Sequence, residues 1–341
     1  LSWIRRLKMK IIVDGMGGDN SPDAIVEGCV DAVKELGLNV IIVGAREIIE
    51  NELSKYDYPK ERIDIINSTE IITNEEEPAL AIRRKKDSSM VVGLRALREG
   101  LGDGFVSAGS TGALLAGGLF IVKRIDGIER AALATVYPTT KGVSLLLDLG
   151  ANVDCKPEYL KQFAIMGSVY SEKILKVKNP RVGLANIGTE KGKGNQLVRQ
   201  AYELIEDSNL NFIGNVEARD IPVGAADVVV CDGFVGNVIL KLTEGMAKAL
   251  FTSLKEEFTK SFQSKIGALL LKKQLKSFVG MLDYREYGGA PLLGLKQPVV
   301  KAHGSSDAFA IKNAIRQVKE FIEMDVINII EKDINTTRNI Q

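Results

Sequence analysis

The chain has 341 residues, of which 45% are hydrophobic, enough for one large core or two ordinary ones and too apolar for a disordered polymer. Its 45 Lys plus Arg stand against 44 Asp plus Glu, so no global field draws in nucleic acid, and any charged partner has to meet a local patch. Three scattered cysteines, Cys29, Cys155 and Cys231, and a single histidine, His303, exclude a CxxC pair and a structural zinc site and fit a reducing cytoplasm.

Residues 1–8 read as an extension ahead of a natural start at Met9, and 336–341 as a tail, with one α/β domain over 9–335 between them. Short β-branched runs follow in order: KIIVD (10–14), VIIVG (40–44), GFVSAG (104–109), GVSLLLDLG (142–150), RVGLANIG (181–188) and DVVVCDG (227–233). Helical patterns separate them, the first at 22–36 with Ser21 placed as its cap and Pro22 in its first turn. Strands without alternation between helices predict a mostly parallel sheet covered on both faces, an α/β sandwich. No run of 18 apolar residues spans a membrane; 245–283 is a long lysine-bearing helical stretch with no strand.

The loops after the predicted strands are rich in glycine: DGMGGDN, SAGSTGA, DLGAN, NIGTEKGKGN and DGFVGN. Ligands of such folds bind at the carboxyl ends of strands, and five such loops expected on one edge favour a site. GMGGDN lacks the G-x-G-x-x-G spacing and no ribose-binding acid follows the second strand, which excludes a nicotinamide cofactor; its amides at Gly17 and Gly18 are still candidates to face an anion, as are Ser110 and Thr111 in SAGSTGA. In NIGTEKGKGN, Lys191 and Lys193 stand among glycines that let backbone approach a ligand, or simply in a solvated loop. In CDGFVGNVILK, Asn237 is placed to donate to a developing oxyanion, with Lys241 a turn later, whereas capping and turning by Asp232 and Asn237 is an equal reading. HGSSDAFA offers Ser305 or Ser306 as the cap of a C-terminal helix and as an anion contact, with His303 read as structural. EEEPALAIRRKKDSS puts acids at the start and Arg83, Arg84, Lys85 and Lys86 at the end of a predicted helix, as the dipole favours.

Together SAGSTGALLA, LDLGANVDCKP, NIGTEKGKGNQ, DGFVGNVILKLTEG, YGGAPLLG and KAHGSSDA, preceded by IRRKKDSSM, resemble the phosphate acyltransferase (PlsX) family of bacterial phospholipid synthesis over nearly the whole chain. The resemblance implies a Rossmann-like α/β/α sandwich similar to phosphotransacetylases and isocitrate and isopropylmalate dehydrogenases, with a protruding helical hairpin at about 245–283. It implies transfer of a long-chain fatty acyl group from acyl carrier protein to inorganic phosphate, with no cofactor or metal, by a homodimer on the inner face of the cell membrane. The acyl phosphate would pass to a membrane glycerol-3-phosphate acyltransferase. The family's functional residues fall on Lys193, Asp232 and Asn237; one departure is Ser110, where members commonly read SAGNTGA. Phosphate is already an anionic nucleophile and a thiolate needs little protonation to leave, so positioning and charge suffice without a histidine base. Covalent catalysis through Cys155 or Cys231 is disfavoured, since both fit a small buried residue.

The competing readings are a phosphotransacetylase acting on acyl-CoA and a membrane-surface scaffold built on 245–283. An acidic carrier protein would dock on Arg83, Arg84, Lys85, Lys86, Arg95 and Arg98. In SKIGALLLKKQLKSFVGML (264–282), Ala268, Leu271, Leu275, Phe278 and Leu282 form one helical stripe, while Ile266, Leu269 and Leu270 fall off it beside Lys265, Lys272 and Lys273, as expected of a tip dipping into an anionic bilayer.

Overall fold

The structure, a computed structural model, describes residues 9–275 and 284–338. Its first strands are β1 (Lys10–Asp14), β2 (Asn39–Gly44), β3 (Ile63–Asn67) and β4 (Gly104–Ser107); the middle of the chain supplies β5 (Ala132–Thr139), β6 (Gly142–Leu147), β7 (Val182–Asn186), β8 (Phe212–Glu217) and β9 (Val228–Val230). The last are β10 (Ala290–Leu293) and β11 (Val299–Lys301). Among the described residues these form one 11-stranded sheet in the order β3-β2-β1-β4-β11-β10-β5-β6-β9-β7-β8.

The unbroken apolar runs are explained by burial on both faces. Ile11 and Val13 pack with the helices Asp23–Leu36 and Ala308–Glu323, while Ile12, one residue out of phase, packs with Ser89–Arg98 and Thr111–Gly117. Leu145 and Leu147 likewise face Pro157–Lys173, and Leu146 the opposite side. The first helix begins at Asp23, and Ser21 does not cap it: its hydroxyl donates back to the carbonyls of Met16 and Gly18, both at 3.0 Å. Gly37 closes that helix at φ 66°, a conformation glycine adopts freely.

Strand direction decides where the loops go. β1, β2, β3, β4 and β11 are parallel to one another, but β10 is antiparallel to both β11 and β5, and β5 is antiparallel to β6, with which β9, β7 and β8 run parallel. The carboxyl ends of β1, β4 and β11 therefore lie at one end of the strands, and those of β6, β7 and β9 at the other. The expected single edge of glycine loops is thus two sets. From the second set springs the helix Gly233–Thr259, followed by Phe262–Leu270, which touches it. The last helix, Val326–Arg338, carries into the residues expected as a tail. No described helix is long and apolar enough to cross a membrane.

Candidate active site

β1 lies between β2 and β4, so the chain leaves it to one side and returns on the other, the switch point at which open α/β sheets form a crevice. Three glycine loops close over it. A Cβ on Gly17 would sit 2.7 Å from the Gly109 amide, one on Gly18 would sit 3.0 Å from the Gly304 carbonyl, and Asp19 donates its amide to that carbonyl at 2.7 Å. Beneath them Asp14, Ser107 and Lys301 end adjacent parallel strands, with Lys301 opposite Ser107 in register. Ser107 Oγ donates to Asp14 Oδ2 at 2.7 Å; Lys301 Nζ donates to the carbonyls of Ala108, at 3.2 Å, and Ala302. Burial pulls the Lys301 ammonium down to about 8 against the opposing pull of Asp14 and Asp19. Burial likewise raises the Asp14 carboxyl, although hydrogen bonds from Ser89, Ser107 and the amides of Met16 and Gly17 oppose it.

Several sequence expectations change here. The Gly17 amide turns inward to Asp14 rather than toward a ligand, while Gly18 is half-buried at the loop junction. Ser110 Oγ accepts from Ala113 N at 3.4 Å and so caps the helix that Thr111, exposed, begins. Neither Ser305 nor Ser306 caps the C-terminal helix: Asp307 does, accepting from Ala310 N at 3.0 Å with a carboxylate that suits the positive end of the dipole. Ser305 bonds His303 Nδ1 through both its hydroxyl, at 2.8 Å, and its amide, at 3.2 Å, which ties the histidine to its own loop. Ser306 is buried, and its hydroxyl meets no hydrogen-bond partner among the described residues.

At the other end of the strands Asp148 organises the second set of loops. Its carboxylate accepts from the amides of Leu133 (2.9 Å), Leu149 (2.8 Å), Ala151 (3.2 Å) and Asn152 (2.6 Å) and from Asn152 Nδ2 (2.9 Å). Asn152 is a hub: its side chain also donates to the Ala131 carbonyl at 2.8 Å, and its own carbonyl accepts from Gly233 N at 2.8 Å. Asp232 caps the helix Gly233–Thr259 by accepting from Val235 N at 2.9 Å. Gly236 lies so close that a Cβ there would fall 1.9 Å from the Asp148 carbonyl, which fixes the helix start against the loop. Asn237 is exposed one residue on, and a Cβ on Gly150 would sit 3.7 Å from it.

Leu184 pairs with Val230, so the loop bearing Lys193 leaves β7 beside the one bearing Asp232 and Asn237. Asn186 Nδ2 holds the Lys193 carbonyl at 3.1 Å, leaving the side chain exposed, whereas Lys191 pairs with Glu206 and lies over the Tyr202 ring. Lys241 is not a free cation, because Glu244 pairs with it at 2.9 Å. Burial pushes the Cys155 thiol up to about 12 and the Cys231 thiol well above its ordinary value, with Asp148 and Asp232 adding to both; neither is a thiolate at neutral pH. Asp148 and Asn152 escaped notice as individuals in DLGAN, where the glycine drew the reading; an acid at the end of a buried strand was the available signal.

The helix expected to carry the basic run ends at Arg84, after a start capped by Glu77. Arg83 lies over Phe120, Arg84, Lys86, Arg95 and Arg98 are exposed, and Lys85 is taken by Glu76 at 2.7 Å and by the Ile71 carbonyl. In the helical arm, Leu269 and Leu270 stand 70% and 77% exposed, with Ile266 exposed beside them. Leu271 of the stripe is exposed too, so no described residue covers it fully; Phe278 and Leu282 lie outside the described residues.

Solved structures with this architecture include a phosphotransacetylase from Streptococcus pyogenes (TM-score 0.60, 22% identical, covering 93% of this chain and 94% of that one). Another is the EutD phosphotransacetylase from Staphylococcus aureus (0.57, 17%, covering 92% and 94%). At such identities they define a class by fold, the phosphotransacetylase-like α/β sandwich with a mostly parallel sheet. Sequence goes further: a family model described as fatty acid synthesis protein matches residues 9–329, and the chain belongs to that family. Relatives named phosphate acyltransferase include one from Alkaliphilus oremlandii, 58% identical over 328 residues that cover 96% of this chain and 98% of that one. A second, from Clostridioides difficile, is 52% identical over 328 residues, 96% of each.

Proposed function

We propose that this protein is a phosphate acyltransferase that moves a long-chain fatty acyl group from acyl carrier protein to inorganic phosphate. The observation that carries the reading is 58% identity, over nearly the full length of both chains, to a relative named phosphate acyltransferase. A phosphate oxygen bonds to the thioester carbonyl carbon, the C–S bond breaks, and the departing thiolate takes a proton from solvent. Lys193 neutralises the incoming phosphate, Asn237 donates to the carbonyl oxygen as it becomes an oxyanion, and Asp232 holds the helix start that aims Asn237. Cysteines kept as thiols support direct transfer without an acyl-enzyme. Gly18, Thr111 and Ser306 at the switch point remain candidate substrate contacts.

The surroundings of the site extend the reading. The carrier protein docks on Arg83, Arg84, Lys86, Arg95 and Arg98. A second copy of the chain covers Phe234, Val238, Leu242, Met246, Leu250 and Leu254, exposed apolar side chains at every fourth position of Gly233–Thr259, and the homodimer rests on a membrane through Ile266, Leu269 and Leu270. The acyl phosphate is consumed there by a membrane glycerol-3-phosphate acyltransferase. Thiol release from palmitoyl carrier protein and from palmitoyl-CoA, each with and without phosphate, tests this. Faster phosphate-dependent release from the carrier protein is expected. Preference for the CoA thioester would favour a phosphotransacetylase, and no release from either would favour a scaffold.

A further inference from the structure

The segment KRIDGIER, 123–130, leads into β5 and lines an open cavity of about 340 Å³ with Arg124, Gly127, Ile128, Glu129 and Arg130, both arginines exposed, and with Tyr159 from farther along the chain. Among the described residues neither guanidinium pairs with a carboxylate, although Glu129 shares the lining. Both are nonetheless held. Arg124 donates to the Glu129 carbonyl, and Arg130 lies 5.6 Å over the ring of Tyr159, which is itself buried in the first turn of Pro157–Lys173. Two anchored, planar, permanently charged forks around one small cavity match the oxygens of a phosphate group better than lysines would.

The cavity is also in the right place. β5 is antiparallel to β6, so its first residue, Ala132, lies at the strand end where the Asp232, Asn237 and Lys193 loops emerge. The Ala131 carbonyl, next to Arg130, accepts from Asn152, whose own carbonyl holds Gly233 at the start of the Asn237 helix. Tyr159 stands in the first turn of the helix that follows the loop containing Asp148 and Asn152, so the cavity wall and that loop are continuous in the chain.

We propose that the Arg124–Arg130 cavity binds a phosphate group of the substrates, a role that rests on the acyl transfer to phosphate put forward above. Two sources share that chemistry: inorganic phosphate itself, or the phosphodiester that links a pantetheine arm to its carrier.

Steady-state kinetics of Arg124→Gln and Arg130→Gln decide it, with inorganic phosphate, acyl carrier protein thioester and a phosphate-free acyl-pantetheine thioester as probes. Losing a charge-assisted contact raises the relevant KM by about tenfold or more, with the melting temperature held. A higher KM for phosphate assigns inorganic phosphate. A higher KM for the carrier thioester, with that for the phosphate-free thioester unchanged, assigns the carrier's phosphodiester. Unchanged constants for both, or equal rises for the carrier and the phosphate-free thioester, overturn the proposal. Arg130→Lys, which keeps charge but not the fork, recovers only part of the loss. If the wild-type protein shows no phosphate-dependent thiol release, the functional reading fails but the cavity is still decided by the rise in melting temperature that phosphate produces. A rise in the wild type that is lost in Arg124→Gln supports the site; an equal rise in both, or none in either, refutes it.

Discussion

Replacing Leu269 and Leu270 together by glutamate separates membrane attachment from folding and chemistry. Both side chains stand mostly in water, at 70% and 77% exposure, so about three quarters of their transfer free energy is available to a bilayer. A fully buried leucine contributes about 1.5–3 kcal/mol, which at these exposures is roughly 2–4 kcal/mol for the pair. Lys265, Lys272 and Lys273 add about 1 kcal/mol each near anionic lipid, which makes the binding reversible rather than permanent. Losing the leucine pair alone then weakens partitioning by about 10². Co-sedimentation with vesicles containing anionic lipid reads this directly: the double variant stays in the supernatant while its size in solution and its turnover of soluble substrate are unchanged. A variant that still pellets with vesicles refutes the assignment of these residues, as does one that dissociates or loses soluble turnover, since the side chains then serve subunit contact or folding.

Lys193→Ala and Asn237→Ala each lower kcat by about 10²–10³ without lowering the melting temperature, since both side chains are exposed; near-normal turnover in either removes that residue from the mechanism. Neutralising Arg83 and Arg84 as glutamines raises KM for acyl carrier protein and flattens its salt dependence, and an unchanged KM at low salt counts against that surface. For Lys301, depressed from 10.5 to about 8, the unfolded chain holds the proton more tightly than the folded one between those values. The wild type therefore gains stability relative to Lys301→Met as pH climbs from about 8 toward 10.5, by roughly 3 kcal/mol at most, and a difference that stays flat with pH refutes the depressed value.

The strands KIIVD, VIIVG and VSLLL were legible because both of their faces are buried, which leaves unbroken apolar runs punctuated by glycine. Ala132–Thr139 and Ala290–Leu293 were not: Pro138 and Pro291 interrupt them, and they are the antiparallel insertions at the centre of the sheet. Those same strands reverse direction for the second half of the chain, which is why five glycine loops that look alike in sequence divide between two ends of the strands. Asp232 and Asn237 on one side and Lys193 on the other sit on loops that leave the adjacent parallel strands β9 and β7. Lys241 does not join them, because Glu244, one helical turn on, takes its charge. Nothing in the sequence marks Lys301 as buried; its burial follows from Gly18, Ala108 and Gly304 meeting above it, a long-range contact that leaves no local signature. The Arg124–Arg130 cavity was equally hidden, since its wall comes from Tyr159, in a separate helix.

The central claim is the transfer of an acyl group directly to phosphate, and the most direct measurement follows ¹⁸O-labelled phosphate incubated with the protein and palmitoyl carrier protein. Labelled palmitoyl phosphate is expected in equal amount to the thiol released, with no release when phosphate is omitted. Free palmitate as the product, or thiol release that does not depend on phosphate, would contradict it.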